Sequence, residues 1–145
     1  PTAAEWEKAA RYPDGRAYPW GPEYVSGYAN INETAGKAGP HYLERTTPVG
    51  MYPQGANPAH GAHDLSGNVW EWCVSKWAAD YTFPEDNDPE GNAVSVLRGG
   101  SWFDAQDYAR AAYRFGFGPD LRYLRFGYNG FRVVCGAAPS SFLTH

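Results

Sequence analysis

Leu65-Ser66-Gly67-Asn68-Val69-Trp70-Glu71-Trp72-Cys73-Val74 is the stretch on which the fold turns. Gly67-Asn68 is a turn signal, and the residues after it alternate. Val69, Glu71 and Cys73 fall on one face of a strand, and Trp70, Trp72 and Val74 fall on the other. The indoles of Trp70 and Trp72 are expected in the core.

Upstream, residues 1–11 read as a helix. Thr2 with Glu5 three residues on is a capping-box pattern. Trp6, Ala9 and Ala10 share one face, and Pro13-Asp14-Gly15 ends the element. Residues 12–62 show little periodicity and many turn signals, so they read as a long, ordered loop region anchored by Trp20, Tyr24, Tyr28, Ile31 and Tyr42. Downstream, residues 80–92 form an acidic loop and 93–97 a short β-branched strand. Gly99-Gly100 is a bend, residues 105–114 are expected as a short helix, and 131–135 as a final strand before a tail at 136–145. Arg98 is expected to pair with an acidic group inside the molecule.

Composition sets the class. A length of 145 residues fits one domain. The 17 glycines and 12 prolines, about a fifth of the chain, exclude a helical bundle. Disorder is excluded by 6 Trp, 11 Tyr and 7 Phe, because disordered chains are poor in aromatics. A net charge of -4 and a pI near 5.5 argue against nucleic acid as a partner. No run approaches the ~18 apolar residues of a membrane span, so no membrane contact by this segment is expected. Cys73 and Cys135 can form one bridge or stand as two buried thiols, and the usual burial of free cysteine favours the second.

Enzyme motifs are missing. There is no G-x-S-x-G, phosphate loop or H-E-x-x-H. His60 and His63 lack further ligands at zinc spacing, and the acidic run Asp86 to Gly91 lacks the distal Glu of an EF-hand, so it reads as a solvated loop.

Several segments in order carry a resemblance: Pro1-Thr2-Ala3-Ala4-Glu5-Trp6, Leu65-Ser66-Gly67-Asn68-Val69-Trp70-Glu71-Trp72, Leu97-Arg98-Gly99-Gly100-Ser101-Trp102, and Gly130-Phe131-Arg132-Val133-Val134. Together they resemble the formylglycine-generating-enzyme (sulfatase-modifying factor) family. The resemblance implies an α+β, C-type-lectin-like fold, loop-rich, with short antiparallel strands, as a single domain over 1–145. Family domains usually start well before the Thr2 motif, so it also implies that an N-terminal segment of the same protein precedes this stretch. The family's oxidases carry a copper-binding cysteine pair just after Arg-Gly-Gly-Ser. Carried over, those positions fall on Asp104 and Ala109, and neither can supply a thiolate. No copper and no catalytic residue are therefore expected. The related sulfoxide synthases are iron enzymes that also need a His-bearing N-terminal domain.

A second branch fits better. The layout over residues 98–132 resembles the variable proteins of diversity-generating retroelements, which use this fold to display a hypervariable face. Fixed motifs stand at Arg98 to Trp102, Ala105-Gln106, Arg110 to Arg114, Pro119-Asp120, Arg122 and Gly130 to Arg132. Between them the resemblance places ligand-binding residues at Phe103, Asp104, Asp107, Tyr108, Phe115, Phe117, Leu121, Tyr123, Leu124, Phe126, Tyr128 and Asn129. Aromatic area punctuated by small polar residues suits an adaptable paratope. The seven aromatics among them are expected on one surface with Asp104 and Asp107 at its polar edge, while Trp102, Tyr113 and Phe131 point inward. The resemblance also implies a structural Ca²⁺ held by Asp64 and Glu71 with the Gly67 and Val69 carbonyls. A second calcium site would involve Asn30 and Ile31, with its acidic ligand replaced near His41. The reading is a non-catalytic, retroelement-diversified binding protein whose partner is a protein or other macromolecule, acting at the cell surface or outside the cell. The alternatives are an oxidase-like enzyme or pseudoenzyme, and a sensory or scaffold module of a longer protein.

Overall fold

The computed structural model describes residues 1–80, 84–119 and 126–135. Helix α1 (Ala3–Arg11) starts where its cap requires. Thr2 Oγ1 accepts from the Glu5 amide at 3.1 Å, and the Glu5 carboxylate accepts from the Thr2 amide at 2.8 Å. Such a cap contributes about 1 kcal/mol. Trp6 and Ala10 are buried together with Ala3, whereas Ala9 is half-buried.

Strands β1 (Trp70–Lys76), β2 (Ser95–Arg98), β3 (Arg114–Phe117) and β4 (Asn129–Gly130) form one sheet in the order β3-β2-β1-β4. β2 runs antiparallel to both β1 and β3, and β4 pairs parallel to β1. Alternation along β1 decides what each face meets. Cys73 and Val96 pack with Ala3, Trp6, Ala10 and Leu65 under α1. On the opposite face, Trp70, Leu97 and Phe117 form a second cluster with Trp72, Tyr113, Phe126 and Tyr128 against it. The register Trp72↔Leu97↔Phe115 lines these residues up across three strands.

Arg98 closes the α1 side. Its side chain is fully buried and donates to Glu7 Oε2 at 2.6 Å, and to the carbonyls of Ala3, Ala111 and Tyr113, each at 3.3 Å. Its guanidinium also lies over the Trp6 ring, 5.8 Å from the centroid. The expected internal ion pair is therefore present. Gly99 must be glycine: its φ is +94°, and an added Cβ would lie 3.2 Å from the Trp6 ring.

Three expectations are corrected. Residues 105–114 are not a helix but a series of turns. Their carbonyls are claimed from elsewhere in the chain. Tyr18 Oη donates to Gln106 O, Ser66 Oγ to Ala109 O, and Arg98 to Ala111 O and Tyr113 O. The stretch then enters β3, which lacks a strand-like period in the sequence. The final strand is also displaced: among the described residues pairing is confined to β4, and residues 131–135 run on without a partner strand. Arg132 turns inward there, so Phe131 and Val133 on either side point outward, at 75% and 79% exposure. Phe131 is thus a surface residue. Finally, the cysteines are unbridged as favoured, but only Cys73 is buried; Cys135 is exposed, not a buried thiol.

The loop region has its own organiser. The buried Glu33 carboxylate accepts from Tyr24 Oη at 2.7 Å, Ser26 Oγ at 2.8 Å, the Gly27 amide at 2.7 Å and the His41 amide at 3.1 Å. Burial pushes its pKa up, but the four donors outweigh burial and hold it below the ordinary 4.5.

Two outcomes follow from these buried charges. Arg98→Leu removes the ion pair at Glu7 Oε2, leaving Arg11 at its Oε1, and leaves three carbonyls without their guanidinium donor, and should cost about 3–5 kcal/mol in chemical unfolding; a loss below about 1 kcal/mol would show that the guanidinium is dispensable. For Glu33 the folded pKa is depressed, so its contribution is present above pH 4.5 and disappears as the pH falls through the folded value. Glu33→Gln should therefore melt below the parent at neutral pH, and the gap should close in acid. A gap that stays constant to low pH would remove the carboxylate from this role.

Candidate functional site

The bend at Gly99-Gly100 sends the chain across the outer face of the sheet. Ser101 is fully buried there, and the Trp102 indole donates to Gly127 O at 3.1 Å, tying the two crossing segments together. Between them opens a cavity of about 210 Å³ lined by Trp70, Phe103, Asp104, Tyr108, Phe115, Phe117, Tyr128 and Asn129. The rings form a continuous aromatic wall. Phe103 stacks on Tyr128, Tyr128 on Phe126, and Phe126 meets Phe117 edge-on, with centroids 6.2, 5.0 and 5.8 Å apart. Phe115 tilts against Trp70 at 5.5 Å.

Most of the residues expected to bind ligand thus converge. Phe103, Asp104, Tyr108, Phe115, Phe117, Tyr128 and Asn129 all line the cavity, and Phe126 packs directly behind it. Asp107 is exposed and outside the lining. Leu121, Tyr123 and Leu124 lie outside the described residues. Trp70 is the lining residue that sequence reasoning assigned to the core alone; it does both jobs, and its alternation with Glu71 was the available signal.

The aromatics are not equally presented. Phe103, Tyr108 and Phe115 are exposed at 57%, 40% and 41%, whereas Phe117 is only 6% exposed. Phe117 shares a strand face with Phe115 but sits over Trp72, 5.4 Å away, so it belongs to the core as much as to the cavity. Asp104 is also placed differently from expectation. It is in the cavity wall, not at an outer edge, because the Ser101 amide and hydroxyl both donate to its Oδ2. Burial pushes its pKa up, against the lowering effect of hydrogen bonds from Ser101 and the Trp70 indole.

The residues proposed to hold calcium also meet, but with a cation already among them. Both Glu71 oxygens accept from Arg132, at 2.5 and 2.6 Å, and Oε2 also accepts from Trp6 Nε1 at 2.6 Å. Arg132 donates further to the carbonyls of His63 and Asp64, and Asp64 Oδ2 accepts from the Gly50 amide at 2.8 Å. A guanidinium beside the donor set opposes a divalent cation, so the arrangement does not fit Ca²⁺ as it stands. Asn30 is likewise engaged, donating to Arg45 O and to Asn68 Oδ1. Among the described residues no group of three or more His, Cys, Asp and Glu side chains converges as a metal site.

Among the described residues no cysteine lines the cavity. Neither Asp104 nor the fully buried Ala109 carries sulfur. Burial pushes the Cys73 thiol up to about 12, so it is protonated at neutral pH. A larger groove of about 470 Å³ runs between α1 and residues 132–134, with a mainly apolar lining.

With this geometry in view, the comparisons with known proteins fall into place. The fold and its motifs define a domain of the formylglycine-generating type with a C-type-lectin-like architecture. The sulfatase-modifying factor enzyme 1-like domain matches residues 1–137, and the chain belongs to that family. It is 35% identical over 129 residues to the inactive C-alpha-formylglycine-generating enzyme 2 of Mus musculus, covering 83% of this chain and 38% of that protein. It is 34% identical over 122 residues to the formylglycine-generating enzyme of Thermomonospora curvata, covering 74% and 39%. The solved structure of Treponema denticola variable protein 1 superposes with a TM-score of 0.67 at 29% identity, over 90% of this chain and 45% of that one. The chain therefore spans less than half the length of each of these relatives.

Because Arg132 neutralises Glu71, an excess of chelator should leave the melting temperature unchanged. A fall in melting temperature restored by added Ca²⁺ would show that the ion displaces the guanidinium, since a native-state ligand stabilises by mass action.

Proposed function

We propose that this domain is a non-catalytic binding module whose aromatic cavity and rim receive a protein or other macromolecular ligand, and that the residues between the fixed motifs are diversified by a retroelement. One observation carries the reading: side chains scattered from Phe103 to Asn129 in the sequence line a single cavity, while the motif residues between them serve the scaffold. Ser101 and Arg98 are fully buried, Arg114 lies over Trp77 at 4.9 Å, and Arg132 holds Glu71. A position that must vary cannot also fill a core, because random replacements there leave voids or clashes. The exposed rim of Phe103, Tyr108 and Phe115 meets that condition.

Support also comes from the relatives. An inactive member and a variable protein stand beside an active formylglycine-generating enzyme among the matches. Asp104 and Ala109, at the positions where the resemblance places the oxidase cysteines, leave the cavity without a soft ligand or thiolate nucleophile.

Ligands for the test come from a displayed peptide library selected on the immobilised protein. Replacing Phe103, Tyr108 and Phe115 together by Ser should change unfolding free energy by about 1 kcal/mol or less, as surface changes do. The same replacement should abolish binding of the selected peptides, because aromatic anchors dominate interface energy. Peptides that bind parent and triple variant equally would place recognition elsewhere.

A further inference from the structure

The cavity has a definite chemical character. Its walls are ring faces and edges, and among the described residues Asp104 is its one charged lining residue. Among the described residues no ion pair includes Asp104. A carboxylate drawn out of water without a counter-charge is unfavourable, and its raised pKa reflects that burial. A second acceptor, Asn129 Oδ1, is buried in the same wall with no hydrogen-bond partner among the described residues. Its amide torsion is soft, so the oxygen can turn toward an incoming donor. Ring faces present the negative side of their quadrupole. Charge, acceptors and rings therefore favour the same kind of guest, a cation that carries N–H donors.

Size narrows the choice. At about 210 Å³ the cavity is smaller than the roughly 300–1,000 Å³ that encloses a drug-sized ligand. It takes the head of a side chain.

We propose that this cavity binds the guanidinium of an arginine side chain on a protein partner, stacked against the rings of Phe103, Tyr108 and Phe115 with its N–H groups directed to Asp104 and Asn129. The inference rests on the reading that this cavity is the ligand site. A guanidinium fits better than the alternatives for stated reasons. It is planar, weakly hydrated and stacks on aromatic faces, and its fork matches a carboxylate. An ammonium is compact and strongly hydrated, so it loses more on entering a ring-walled space. A quaternary ammonium has no N–H for either acceptor, and a neutral guest leaves Asp104 uncompensated.

The test titrates the protein with N-acetyl-arginine amide, followed by tryptophan fluorescence, since Trp70 lines the cavity. N-acetyl-citrulline amide serves as the neutral isostere and N-acetyl-lysine amide as the ammonium control. Saturable binding of the arginine probe is expected, with citrulline weaker by about tenfold or more, the scale of a lost charge-assisted hydrogen bond, and lysine intermediate. Asp104→Asn keeps an acceptor for Ser101 and should weaken the arginine probe by a similar factor. Tyr108→Leu, at an exposed position, should weaken it several-fold with the melting temperature unchanged, which guards against misreading a folding defect in the first variant. Equal affinity for arginine and citrulline, no saturation in the millimolar range, or indifference to both substitutions would overturn the proposal. Peptides selected as above separate the two ideas. If they need Phe103, Tyr108 and Phe115 but show no arginine, the guanidinium assignment falls and the binding site stands. If they ignore those residues, both fall.

Discussion

Burial of the Arg98 guanidinium is the constraint around which the rest is arranged. A charge with no exposed surface must be neutralised and hydrogen-bonded. Glu7 from α1 supplies the counter-charge, and carbonyls from Ala3, Ala111 and Tyr113 take further donors. These come from the helix and from the turns ahead of β3, so one side chain on β2 fixes the mutual position of three segments. Trp6 is set between two ionic groups, its ring beneath Arg98 and its indole N–H on Glu71. The second ion pair, Glu71 with Arg132, then brings in the chain beyond β4. Tertiary order in a molecule with so little regular secondary structure comes from these linked polar contacts as much as from the apolar clusters.

What the sequence made legible follows from this division. The helix declared itself through Thr2 and Glu5, and β1 through its alternation, because both signals are local. Arg98 could be assigned an internal partner because a charge in an otherwise apolar strand has few other outcomes, although Glu7 itself could not be named. The turns at 105–112 were illegible. Alanines and charged residues there favour a helix, but a helix would have withdrawn the carbonyls that Tyr18, Ser66 and Arg98 occupy from far along the chain. Phe131 was misassigned for a related reason. Inside a fixed motif it reads as core, yet Arg132 needs the inward direction to reach Glu71, and an extended backbone cannot turn both neighbours the same way. The residues that line the cavity were placed as a set by the resemblance of the motifs around them. Their depths were not, since the difference between Phe115 and Phe117 depends on which of them meets Trp72.

The two faces of the sheet divide the demands on the molecule. The α1 face carries the buried charges and small residues, where a substitution disturbs several partners at once. The other face carries rings that pack on rings. Aromatic contacts are broad and tolerant in geometry, so the inner members of that layer, Leu97, Phe117 and Trp72, can stay in place while the outer members change. Stability is thereby concentrated on the α1 face, and exposed ring area on the other.

Asp104 is where fold and chemistry meet. The Ser101 amide and hydroxyl hold its carboxylate in the wall of a ring-lined cavity, and the Asp104 carbonyl accepts from the Asn32 amide at 2.9 Å, so the residue is positioned from both ends. A thiolate in such a place could bind a soft metal and attack a substrate. A carboxylate is a hard ligand, ill-suited to a soft metal, and lacks the nucleophilicity of a thiolate. What it retains is a field: a fixed negative charge, poorly screened because it is partly removed from water. In the proposed binding role, that charge is what the side chain would offer a guest.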